Sequence, residues 1–87
     1  MKQHDRAPED LQRYLGLAIR QGRDQIGLSQ EAFASVIGLH RTYIGSVERG
    51  ERNISFQNLV RVATSLGQPV STLVAVAEAL QREVTSA

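Results

Sequence analysis

Residues 30–49 read QEAFASVIGLHRTYIGSVER, and the spacing of their apolar side chains predicts two short helices joined by a tight turn at Gly38. Ala34 sits four residues before that glycine and is small enough to let two helices cross closely. Gly38 supplies the positive φ that a sharp helix exit demands. Leu39 then returns to the core. Ile44 and Val47, three apart, share one face of the second helix. That leaves Arg41, Thr42, Gly45, Ser46 and Arg49 facing out. A helix packed along one stripe, with small and hydrogen-bonding side chains opposite, has the form of an element that enters the major groove of DNA.

Working outward, Pro8 suits the first turn of a helix, and Glu9 and Asp10 favour its positive end. Leu11, Leu15, Ala18, Ile19 and Gly22 keep a helical spacing, which predicts a first helix over 9–25. Ser29 is the expected N-cap of the second helix, 30–37. The third runs from His40 or Arg41 to Arg49 and stops at Gly50. Ser55 caps a fourth, 56–66, whose apolar positions are Phe56, Leu59, Val62 (or Val60), Ala63 and Leu66. Gly67 and Pro69 end it, and Ser71 is the expected cap of a fifth, 72–84. No segment alternates with period two for long enough to be a strand. The expected fold is an all-α bundle of five helices, with residues 1–8 as a flexible arm and 9–87 as one domain.

The chain has 87 residues, enough for one small core. Hydrophobic residues make up 41%, which places it among globular rather than disordered chains. It has no cysteine, which excludes disulfides and thiolate metal sites. The opening MKQHDRAPED lacks the apolar centre of a signal peptide, and no apolar run approaches the ~18 residues of a membrane span. The cytoplasm is the expected compartment. Net charge is only +1, but nine of the ten basic residues are arginine, and Arg41, Arg49 and Arg52 fall within twelve residues. The arginine fork suits phosphates and guanine edges.

With these residues in place, the chain resembles the Cro/phage-repressor (Xre-like) helix-turn-helix proteins from about Leu15 to Leu73. The likeness is carried by IRQGRDQIGLSQEAFA, then SVIGLHRTYIGSVERGERNIS, then NLVRVATSLG. Gln30, Ala34, Gly38, Ile44 and Val47 hold the family's spacing without gaps. The stretch RTYIGSVERGERNIS is closest in look to the controller proteins of restriction–modification systems. The resemblance implies a lambda-repressor-like DNA-binding domain with helices 2 and 3 as the helix-turn-helix. It also implies a sequence-specific regulator of transcription whose partner is double-stranded DNA.

By that resemblance Arg41 reads a guanine through O6 and N7, and Thr42 contacts a base or a thymine methyl. Gln30 is placed against a phosphate, helped by the N–H groups of its helix end. Arg23 and Glu48 match a partly buried ion pair that locks the reading helix to the scaffold. Ser46, four residues after Thr42, shares its face and reads as a base or phosphate contact or as a small surface residue. Gly45 is costly in a helix and is read as letting the helix sit deep in the groove. Two readings stand for Tyr43: a phosphate or base-step contact, or a rim residue covering the core. His40 either caps the third helix or touches the DNA backbone. Arg49, Arg52 and Asn53 look like phosphate contacts that set register, Asn53 equally like a turn residue.

The fifth helix carries more apolar surface than a monomer of this size needs. Val70, Leu73, Val74, Ala77, Leu80 and Val84 serve either their own core or a partner's helix, and a twofold homodimer is expected. The rival reading is a protein-interaction module, such as an antitoxin-type or complex subunit, with the same fold. Such a module would set apolar anchors on helix three, where this chain has Arg, Thr, Ser and Gly. Nothing supports an enzyme: there is no Cys, no Ser-His-Asp arrangement, no Gly-rich phosphate loop and no carboxylate pair in a cleft. No cofactor and no metal is implied. Activation would require contact with RNA polymerase, for which the sequence marks no surface.

Overall fold

The computed structural model describes residues 8–86, so the expected N-terminal arm lies outside the described residues apart from Pro8, which opens the first helix. The order is α1 (Pro8–Gln25), α2 (Gln30–Ile37), α3 (Arg41–Glu48), α4 (Phe56–Leu66) and α5 (Val70–Ser86), and the described residues contain no strand. Each helix gives one side chain to the centre: Ile19, Phe33, Ile44, Val62 and Leu73 are the largest fully buried residues. A core to which every helix contributes holds only while all five helices are docked.

Local chemistry explains the boundaries. Ser29 Oγ accepts from the Ala32 N–H at 3.0 Å and Ser55 Oγ from the Asn58 N–H at 3.1 Å, each meeting one orphan donor of a helix start. Gly38 has φ 73°, its N–H donates to Ser35 O, and the Leu39 N–H donates to Ala34 O at 2.9 Å. These are the two bonds of a Schellman motif. They turn the chain sharply enough that only three residues separate α2 from α3. The fifth helix begins at Val70, two residues before expectation, so Ser71 lies inside its first turn and does not cap it; the Thr72 N–H donates to Pro69 O.

The first helix lies along both α5 and α3. Gly16 marks its crossing with α3: a Cβ there would lie 2.2 Å from Val47 O and 2.7 Å from Glu48 O, both backbone atoms. Gln12 adds a bond from Nε2 to Gly50 O at 2.8 Å, just beyond α3. The C-terminal end of α3 is therefore set by α1 before any side chain on its outer face acts.

Two apolar positions of α4 need correction, and the open choice at two of α5 is resolved. Phe56, expected in the core, is 72% exposed, and Val60 is also exposed, so the inward stripe of α4 is Leu59, Val62, Ala63 and Leu66. Leu73 and Ala77 of α5 are buried in this chain's own core, because α5 packs along α1. Of the six α5 residues considered for a partner, Val70, Val74 and Leu80 are half-buried and Val84 is exposed. No single helix among the described residues is long and apolar enough to cross a membrane.

Candidate nucleic-acid interface

The third helix buries Ile44 and Val47 and sends Arg41, Thr42 and Arg49 outward. Its orientation is fixed by polar contacts beneath it. Arg23 of α1 donates through Nε to Glu48 Oε2 at 2.7 Å and through Nη2 to Glu48 Oε1 at 2.9 Å. Both residues are buried. Arg23 Nη1 donates to Leu28 O at 2.8 Å, and Gln30 Nε2 donates to Glu48 Oε1 at 2.9 Å. One carboxylate thus joins α1 and α2 to α3, and the guanidinium it holds ties in the loop before α2. Hydrogen bonding to Glu48 holds the Arg23 guanidinium above its ordinary pKa, burial works the other way, and the nearby charges of Glu48 and Asp24 add to the rise. The guanidinium therefore stays charged although it is buried.

The outer face is a shallow depression of about 290 Å³ lined by Gln30, Arg41, Thr42, Gly45 and Arg49. Gly45 is its floor: it is buried, and a Cβ there would lie 3.1 Å from Arg49 Nη1 and 3.3 Å from Gln30 Oε1. The expected outward Gly45 is thus roofed by two polar side chains. Arg41 is exposed and pairs with Glu31 at 3.6 Å across the turn. Arg49 pairs with Glu51 at 3.1 Å, and that hydrogen bond raises the pKa of its guanidinium.

The remaining candidates divide. Ser46 is half-buried, and its Oγ donates to Tyr43 O at 2.9 Å, so its proton is spent within the helix and only its acceptor capacity remains. His40 stands at the N-cap position with extended backbone and makes no side-chain cap bond, which removes the capping reading. Gln30 is half-buried with its amide committed to Glu48, not turned fully outward. Tyr43 packs its ring against the core. Its hydroxyl accepts from Asn58 Nδ2 at 3.0 Å, and the Arg52 guanidinium lies 5.5 Å from its ring centroid. Asn53 is exposed and lines a separate depression with Leu11, Gln12 and Leu15 of α1.

The fold is shared with known proteins. The helix-turn-helix family model matches residues 19–73, more than half of the chain. The chain belongs to the helix-turn-helix family of DNA-binding transcription regulators. Control protein C.SmaI of Serratia marcescens is 45% identical to this regulator over 64 residues, covering 74% of this chain and 76% of that one. The crystal structure of the restriction–modification controller protein C.AhdI from Aeromonas hydrophila superposes with a TM-score of 0.69 at 44% identity, over 74% of this chain and 96% of that chain. The clp gene regulator ClgR from Corynebacterium glutamicum superposes with a TM-score of 0.84 at 25% identity, over 87% of this chain and 81% of that chain.

Three residues of the regulator escaped the sequence reading. Gly16 looks like any small residue on an apolar stripe. Glu31, in the first turn of α2, gives no sign that it will meet Arg41 ten residues later. Asn58 reads as a first-turn polar residue, and only the tertiary fold brings it to Tyr43. No local spacing signals either contact.

Proposed function

We propose that this regulator binds a near-palindromic double-stranded operator as a homodimer in the cytoplasm and controls a restriction–modification operon. The observation that carries the reading is the exposed Arg41–Thr42 edge on a helix held by the buried Arg23–Glu48 pair and by Gln30. Preorganised side chains on a rigid helix read base edges without an ordering cost at each encounter. Arg41 reads a guanine and Thr42 a base or thymine methyl. Ser46, with its proton engaged, accepts from an exocyclic amine of adenine or cytosine. Arg49, Arg52, Tyr43, His40, Asn53 and the remaining N–H of Gln30 hold phosphates and fix the register. The 45% identity to C.SmaI and 44% identity to C.AhdI support the controller role.

Dimerisation uses what α5 leaves on the surface, Val70, Val74, Leu80 and Val84, with Leu73 and Ala77 kept for the monomer core. A twofold pair sets two copies of α3 ~34 Å apart, one turn of DNA. Contact with RNA polymerase would decide between activation and repression. The test is sedimentation of the protein alone and on a bound duplex. A dimer at tens of micromolar, and two protomers per duplex, support the reading. A monomer in both settings overturns the palindrome.

A further inference from the structure

We propose that Asn58, on the first turn of α4, is a positioning residue for DNA binding that acts through the hydroxyl of Tyr43; the inference rests on the regulator reading above. Asn58 Nδ2 donates to Tyr43 Oη at 3.0 Å. A phenol has one proton to give and lone pairs to receive with. Since the amide nitrogen only donates, the Tyr43 oxygen is the acceptor in this bond and its own proton lies elsewhere. The bond therefore turns Tyr43 into an outward donor with a set direction. A phosphate oxygen, which only accepts, matches it.

The ring is held as well as the hydroxyl. Arg52 lies over it at 5.5 Å from the centroid, and its inner side packs on the core. With its face and its tip both fixed, Tyr43 has little rotamer freedom left to lose on binding. Arg52 brings a cation beside that donor, so the two side chains offer an anion a charge and a directed proton together. Asn58 is itself held. Ser55 Oγ accepts from the Asn58 backbone N–H at 3.1 Å, which fixes the first turn of α4 without using the side-chain amide. That separation matters, because the amide can be removed while the cap of α4 survives.

The experiment is a double-mutant cycle on the full chain, read as affinity for the duplex most enriched from a random pool by the wild type. Tyr43→Phe and Asn58→Ala are each expected to weaken binding about threefold to tenfold, the span of one hydrogen bond's net worth. The double variant should bind no worse than Tyr43→Phe alone, because without the hydroxyl Asn58 has nothing to direct. Asn58→Asp supplies an acceptor that draws the phenol proton inward. It should lose more affinity with Tyr43 present than in the Tyr43→Phe background, where its general charge penalty is the same. Losses that multiply in the double variant, or an Asn58→Asp loss equal in both backgrounds, overturn the positioning role while leaving the DNA-binding reading intact. A wild type that enriches no duplex overturns both. Melting temperatures of all variants, expected to stay close to wild type, separate the role from a folding defect, and a shared collapse in stability would contradict it.

Discussion

Arg23 and Glu48, 25 residues apart in sequence, meet through two hydrogen bonds of 2.7 and 2.9 Å in a site where both side chains are buried. Taking either away strands the other's charge out of water. Such a loss costs ~3–5 kcal/mol, whereas replacing both partners with apolar groups of similar size costs less. Arg23→Met and Glu48→Leu should each lower the urea midpoint more than the double variant does. Equal stability of the singles and the double would mean that the pair carries no coupling.

The same pair sets a pH expectation. Its guanidinium pKa is raised in the folded protein, chiefly by the hydrogen bond to Glu48. A raised folded pKa gives stability that is complete below the unfolded arginine value and lost only as pH climbs through the folded one. Both lie beyond ordinary alkaline conditions, so the stability gap between wild type and the double Arg23→Met, Glu48→Leu variant should stay level from about pH 6 to about pH 10. A gap that closes within that window would contradict the assignment.

Gly16 tests the α1–α3 crossing. A Cβ at this position would stand 2.2 Å from the carbonyl oxygen of Val47, a backbone atom with nowhere to go. At Gly22 the nearest atom is Leu66 Cδ1 at 2.8 Å, the end of a flexible side chain. Gly16→Ala should destabilise by ~1–3 kcal/mol or more and Gly22→Ala by less. Denaturant titration of the two variants checks the order, and a reversed order would contradict the crossing.

Gly45 tests the outer face. A Cβ there meets Arg49 Nη1 at 3.1 Å and Gln30 Oε1 at 3.3 Å, both ends of long side chains that can yield. Alanine also gains about 1 kcal/mol of helix propensity over glycine. Gly45→Ala should therefore fold at least as well as wild type yet bind DNA more weakly, because it fills the floor beneath the reading edge. A variant improved in both stability and affinity would remove the glycine from the interface.

Arg52 tests the division between register and sequence. If it holds a phosphate, Arg52→Ala weakens binding to all duplexes alike and lowers the salt slope by about one. Fluorescence titration on specific and scrambled duplexes at several salt concentrations measures both. A loss confined to one sequence would make Arg52 a base reader.

What could be read from the sequence was what local chemistry decides. Ser29, Ser55, Gly38 and Gly67 act within a turn of themselves, so the ends of α2 and α4 stood where expected. Periodicity also separates inner from outer faces, which placed Ile19, Ile44 and Leu59. It does not say what an apolar side chain will meet. Phe56 fits the stripe of α4 and yet faces outward, and Leu73 and Ala77 fit a partner surface and yet cover α1. Polar contacts across the fold are hidden from the sequence for the same reason. Gln30 turns to Glu48, 18 residues on, and Asn58 to Tyr43, 15 residues back, and neither contact leaves a trace in spacing.

The most direct test of the account is selection from a random DNA pool by the purified regulator, repeated with Arg41→Ala. The account predicts a near-palindrome with half-sites one turn apart from the wild type, and the same motif blurred at a single guanine per half-site from the variant. A wild type that enriches nothing, or a variant that returns an unchanged motif, would contradict it.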